Sequence, residues 1–209
     1  MVKLKLGVLA SGRGSNFEAI LTAIQKGNLD AEIKVLVSNK KSAGALAIAT
    51  QNGIPSVHLS FKVFASPNEY GSELIKVFSK YDVNFAVLAG YLKYLTPEFI
   101  SNYQNKILNI HPALLPSFGG NGMFGNHVHV AVLKRGCKVS GATVHIVDEI
   151  YDHGPIILQK SVPVLDDDTE KTLAARVLKV EYEIFPKALQ LFAEDRIRIY
   201  DNRALILKK

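Results

Sequence analysis

Asn109-Ile110-His111-Pro112 sets an amide and an imidazole two residues apart, directly before a proline that stops regular strand pairing. Side chains alternate along a strand, so this spacing puts both groups on one face at the strand's end. An amide donor beside an imidazole suits acyl-type chemistry, in which an oxyanion is stabilised and a proton moves near neutral pH. A neighbouring carboxylate would hold the ring and raise its pKa. Asp148, Glu149 and Asp152 all fall on the next conspicuous polar segment. No serine nucleophile elbow is present, so direct transfer is expected rather than a covalent enzyme intermediate.

The segment Ala10-Ser11-Gly12-Arg13-Gly14-Ser15-Asn16 lies between a strand-like run and a helix-like run. Backbone amides and the positive end of the helix dipole would favour an anion there, a phosphate above all. The same residues also read as a tight turn closed by a Ser15 or Asn16 cap, and sequence alone leaves the two readings level. It is not a dinucleotide fingerprint, because Phe17, or Asn16 one place earlier, stands where the third glycine belongs. Five histidines fall between residues 111 and 153. His127 and His129 could be metal ligands, but carboxylate or cysteine partners at the usual zinc spacing are missing, and no metal is expected. His145 alternates with Thr143 and Val147 and reads as a hydrogen-bonded core residue.

These residues need elements to position them. The run LKLGVLA reads as a strand, and Phe17, Ile20, Leu21 and Ile24 then recur at the spacing of one helix face. Ile33 to Val37 is a second strand, Ala43 to Gln51 a helix closed by Gly53, and Val57 to Leu59 a third strand. Ser66-Pro67-Asn68-Glu69 starts a helix burying Leu74, Ile75 and Phe78, with Glu69 reaching back reciprocally to the cap. Phe85 to Ala89 is a buried strand, Thr96-Pro97-Glu98 opens a short helix, and Ile107 to Ile110 is another strand. Val139 to Val147 and Ile156 to Val164 read as strands, and a long helix follows from about Thr169, kinked or divided by Pro186. Arg196 to Leu207, turning at Asp201-Asn202, forms a terminal hairpin. Alternating strands and helices predict an α/β doubly wound, mostly parallel sheet with helices on both faces, and ligands beyond the strands' carboxyl ends.

With 209 residues and 48% hydrophobic content, residues 1–209 are expected to form one domain. Apolar runs are broken well short of the ~20 residues a membrane span needs. Met1-Val2-Lys3 runs straight into the first strand, so no leader and no membrane association are expected. The lone Cys137 excludes an internal disulfide and fits a reducing, cytoplasmic setting. Twenty-five basic against nineteen acidic side chains give a charge of +6, which attracts phosphates. The basic residues are scattered apart from Arg196, Arg198, Arg203, Lys208 and Lys209, without interleaved aromatics, and no nucleic-acid partner is expected.

Asn109-Ile110-His111-Pro112-Ala113-Leu114-Leu115-Pro116 closely resembles the active-site stretch of glycinamide ribonucleotide formyltransferases. Gly141 to Val147 followed by Asp152-His153-Gly154 resembles their second signature, and Ser11 to Asn16 their phosphate loop, over essentially the whole chain. The resemblance implies the formyltransferase version of the doubly wound sheet, and 10-formyltetrahydrofolate and glycinamide ribonucleotide as small-molecule partners of a monomer or homodimer. It implies that Asn109 and His111 stabilise the formyl oxyanion while Asp152 holds and tunes His111. It further implies that Gly14, Ser15 and Asn16 bind the phosphate and that Glu181 meets the glycinamide end. The pterin would be held by Leu92, Lys93, Tyr94 and Leu95 together with the loop carrying Asp148 and Glu149.

The chain departs from the family pattern at Gly119 to Asn126, a longer and more glycine-rich loop, so no role is carried over to His127 or His129. Pro67 stands near the place of a folate-side arginine, and Leu178 where some relatives carry Lys or Gln. A methionyl-tRNA formyltransferase would be expected to continue into a further domain, and a formyltetrahydrofolate deformylase to carry an extra N-terminal domain and a second histidine in place of Pro112. A non-catalytic nucleotide-binding module would use the glycine loop but not Asn109, His111 and Asp152 together.

Overall fold

The computed structural model describes residues 3–208, so Met1, Val2 and the last basic residue, Lys209, lie outside the described part. In chain order the elements are β1 (Leu4–Leu9), α1 (Ser15–Gln25), β2 (Ala31–Ser38), α2 (Gly44–Gln51), β3 (Ser56–His58), α3 (Pro67–Lys80) and β4 (Phe85–Leu88). There follow α4 (Pro97–Asn102), β5 (Ile107–His111), α5 (Asn126–Lys134), β6 (Val139–Ile146), β7 (Ile156–Pro163), α6 (Glu170–Ala193), β8 (Ile197–Tyr200) and β9 (Arg203–Ile206).

One sheet runs β3-β2-β1-β4-β5-β6-β7, and β8 and β9 pair as the expected antiparallel hairpin. The first five strands are parallel, whereas β6 pairs antiparallel with both β5 and β7. Strand alternation divides the core between the two faces. Along β4, Phe85 and Val87 join the cluster containing Phe17 and Phe185, while Ala86 and Leu88 join the one containing Leu74 and Phe99. Helices α1, α2, α5 and α6 thus cover one face and α3 and α4 the other, as the alternation of strands and helices predicts. The chain winds from β1 outward to β3 and then returns to β4, so the crevice opens at the carboxyl ends of β1 and β4. No helix of the described residues is long and apolar enough to cross a membrane.

Local chemistry explains most boundaries. Ser66 and Thr96 accept the amides of Glu69 and Phe99, with prolines in the first turns of α3 and α4. Glu69 reaches back to the Ala65 amide rather than to that of the Ser66 cap, and Ile75 is half-buried where Leu74 and Phe78 are fully packed. α6 runs as one helix of 24 residues through Pro186, contrary to the expected division. Proline costs it one backbone hydrogen bond, but Phe185, Ala188 and Leu189 are wholly buried and keep that segment packed. α5 was not anticipated from sequence; Val128 and Val132, one turn apart, are its buried face.

α1 begins with Gly14 as its N-cap, in the left-handed region at φ 89° and with no side-chain cap. A Cβ at Gly14 would lie 2.7 Å from the Ala45 Cα, so α2 packs against bare backbone. Gly14→Ala is therefore expected to lower stability by more than the roughly 1–2 kcal/mol of left-handed strain alone. Urea unfolding with an unchanged midpoint would contradict this account of the loop.

Candidate active site

A cavity of about 710 Å³ opens at the carboxyl edge of the sheet. Asn109, His111, His145, Asp152 and Glu181 all line it. β5 delivers Asn109 and His111 to the same space, as the strand period requires. In the antiparallel register Asn109 faces His145 and His111 faces Thr143. Thr143 fixes the turn beyond His111: its hydroxyl donates to the Ala113 carbonyl at 2.6 Å and accepts from the Leu115 amide at 3.0 Å. The chain then returns so that the Phe118 carbonyl lies 2.9 Å from His111 Nε2.

Asp152 sits at φ 54° on the loop after β6 and meets three segments at once. One oxygen accepts the Gly120 amide at 2.9 Å and lies 3.5 Å from His111 Nδ1. The other lies 3.5 Å from both His145 Nε2 and the Asn109 amide nitrogen. A carbonyl can only accept, so Nε2 of His111 carries a proton toward Phe118, and Nδ1 of His145 carries one toward Ile146 at 2.8 Å. Nε2 of His145 lies 3.0 Å from the Asn109 amide nitrogen. The Asn109 donor is thus engaged by His145 and Asp152 rather than standing free in the cavity.

Burial lowers the pKa of His111 from the ordinary 6.5, while the Asp152 charge and the Phe118 carbonyl pull the other way and the His145 charge lowers it further. The carboxylate raises the ring's pKa as expected, but burial of the ring, 3% exposed, outweighs it. For Asp152 itself burial raises the pKa, but the His145 hydrogen bond, the His111 charge and the Gly120 amide together bring it below the usual value. Asp148 is occupied elsewhere, accepting from the Ile150 amide at 2.9 Å and pairing with His153 Nδ1 at 2.8 Å.

At another part of the cavity wall Asn16 Nδ2 donates to Glu181 Oε2 at 2.7 Å, tying α1 to α6. Both side chains are buried; desolvation raises the Glu181 pKa and the Asn16 bond lowers it. Asn16 Oδ1 is buried without a hydrogen-bond partner. Leu92, Lys93, Tyr94, Leu95 and Asp148 line the cavity as the resemblance implies, whereas Gly14, Ser15 and Glu149 do not. Ser15 instead faces a separate groove between α1 and α6, because successive helical side chains diverge around the axis. His127 is exposed in the first turn of α5, while His129 is buried and lines the cavity, its pKa lowered by burial and by the His111 charge. Among the described residues no group of three or more His, Cys, Asp or Glu is placed to hold a metal ion.

His145 is the buried, hydrogen-bonded residue expected, 2% exposed, but it also lines the cavity. That second placement follows from the pairing of β6 with β5, which no one-strand pattern reveals.

A doubly wound sheet with an amide, two imidazoles and a carboxylate converging at its carboxyl edge defines a class of group-transfer site. The family model described as formyl transferase matches residues 4–189, and the chain belongs to that family. It is 44% identical over 194 residues to the chloroplastic phosphoribosylglycinamide formyltransferase of Vigna unguiculata, covering 92% of this chain and 62% of the relative. It is 37% identical over 201 residues to the phosphoribosylglycinamide formyltransferase of Escherichia coli strain K12, covering 96% and 92%. The crystal structure of glycinamide ribonucleotide transformylase 1 from Symbiobacterium toebii superposes with a TM-score of 0.94 at 37% identity, covering 99% of this chain and 95% of that one.

His111 and His129 are both held below 6.5 in the fold and return to it on unfolding, so the unfolded chain binds more protons as the pH falls past that value. Stability should decline as pH drops from about 7.5 to about 5.5. His129→Gln should shallow the slope. Urea midpoints that rise or stay level in wild type over this range would contradict the burial of these rings.

Proposed function

We propose that the protein transfers the formyl group of 10-formyltetrahydrofolate to the amino group of glycinamide ribonucleotide, a step of purine biosynthesis. The observation that carries this reading is the convergence of Asn109, His111 and Asp152 on one cavity. The donor supplies a carbonyl whose oxygen gains negative charge when an amine attacks it. Protonated His111 sets a positive charge beside this oxygen, and Asn109 turns its amide from His145 toward it. Protonation of His111 at Nδ1 is favoured by Asp152, so the carboxylate makes the cationic ring accessible despite its burial.

The rest of the cavity lining and the segments beside it fit the two substrates. The amides of the first turn of α1, at Gly14, Ser15 and Asn16, hold the phosphate by backbone, since Gly14 places no side chain over them. The Asn16 side chain is committed to Glu181 and presents an acceptor oxygen, which suits a donor group of the glycinamide ribonucleotide rather than its phosphate. Arg13 and Lys171 on the same cavity wall add positive charge. Leu92, Tyr94, Ile150 and Tyr151, all exposed apolar side chains on the cavity lining, fit a flat pterin ring. Lys93 and Leu95 complete that segment, and Asp148 and Glu149 shape the opposing loop.

Purified protein supplied with 10-formyltetrahydrofolate should formylate glycinamide ribonucleotide and neither charged initiator tRNA nor water, the last detected as released formate. His111→Ala and Asn109→Ala, folded by circular dichroism, should each lose about 10²–10⁴-fold in kcat. Near wild-type turnover in either variant would remove that residue from the reaction.

A further inference from the structure

The loop from Asp148 to His153 is closed on itself and tied to its surroundings at separate points. Within it, Asp148 accepts from the Ile150 amide and pairs with His153, and the His153 amide reaches the Ile150 carbonyl at 3.4 Å. Its far end is fixed by the Gly120 amide on Asp152. Its near end is fixed from the segment after β4: the Tyr94 hydroxyl donates to the Glu149 carbonyl at 2.9 Å, and the Tyr94 and Tyr151 rings meet with centroids 5.4 Å apart. Both rings remain about half exposed, at 43% and 48%, and both line the cavity.

A solvent-exposed bond of this kind adds little to global stability, because water can replace either partner. Its effect is local. Glu149 and Tyr151 flank Ile150, and Tyr151 immediately precedes Asp152, so a phenol that holds both also limits where the carboxylate can sit against His111. The two tyrosines meet from opposite sides over the cavity, and a planar ligand entering between them must open or slide past their contact.

We infer that Tyr94 is a positioning residue: its hydroxyl and ring clasp the 148–153 loop over the cavity, so that admission of the flat ring of the formyl donor and placement of Asp152 are governed by one contact. This rests on the formyl-transfer reading for the identity of the ligand, but the clasp itself is a property of the free protein. Removing the hydroxyl loosens the loop before any ligand arrives, and the donor must then order it on binding. The residues proposed to meet the acceptor, Asn16 and Glu181, belong to α1 and α6 and not to the loop.

Tyr94→Phe keeps the ring and removes the donor, and Tyr94→Leu removes both contacts. Amide hydrogen exchange in the ligand-free protein should quicken at residues 149–153 in Tyr94→Phe, more so in Tyr94→Leu, and stay as in wild type elsewhere. Equilibrium binding of tetrahydrofolate alone should weaken about threefold to tenfold in Tyr94→Phe, while binding of glycinamide ribonucleotide alone stays within about twofold of wild type. In turnover the same split should appear as a raised KM for the donor and a lowered kcat with an unchanged KM for the acceptor. Unchanged exchange at residues 149–153 would overturn the clasp, as would equal weakening of both ligands. Should wild type bind neither ligand, the formyl-transfer reading fails, and the exchange measurement alone decides whether Tyr94 holds the loop.

Discussion

A carboxylate buried between two imidazoles organises this structure. Asp152 gives up most of its water and regains the Gly120 amide together with His111, His145 and Asn109. A buried charge stripped of such partners is strongly destabilising, so each partner is constrained as much as the carboxylate. β5 and β6 must hold their antiparallel register for Asn109 and His145 to meet the same oxygen. The turn after β5 must return for Phe118 and Gly120 to complete the shell, which is why Thr143 braces it from β6. The positive φ of Asp152 belongs to the same requirement, and aspartate tolerates that conformation better than most side chains.

The electrostatics of the centre follow from two opposed effects of comparable reach. Burial disfavours the imidazolium of His111, and the adjacent carboxylate favours it, with burial ahead in the free protein. The lowered pKa of Asp152 favours the ionised carboxylate beside that ring. Glu181 shows the reverse balance, since burial raises its pKa and a single amide from Asn16 offsets only part of that. The pKa values of the two carboxyl groups of one cavity are therefore shifted in opposite directions by their surroundings.

Much of this was legible in the chain, and the remainder was hidden for physical reasons. The period of two carried Asn109 and His111 to one space, and cap-and-proline signals at Ser66 and Thr96 gave the starts of α3 and α4. Choosing Asp152 over Asp148 and Glu149 rested on family resemblance, because spacing cannot tell which carboxylate a loop turns inward. In the structure Asp148 is taken up in closing the loop, and Glu149 does not line the cavity, whereas Asp152 does. His145 is buried and hydrogen-bonded as its strand alternation suggests, while its place on the cavity depends on the neighbouring strand, and the Ser15 side chain lies on a different groove from that of Asn16. Pro186 failed to break α6 because flanking burial outweighed one lost hydrogen bond, a tertiary effect absent from local sequence.

The dependence of His111 on Asp152 is tested most directly by NMR titration of the His111 ring in wild type, Asp152→Asn and Asp148→Asn. Wild type should titrate below 6.5, the burial of the ring prevailing over its partners. Asp152→Asn keeps the side chain's size but removes the charge that raises the ring's pKa, so the midpoint should move further toward acid. Asp148→Asn, whose carboxylate is engaged with His153, should leave it nearly in place. A His111 midpoint unmoved by Asp152→Asn, or moved more by Asp148→Asn, would contradict the account.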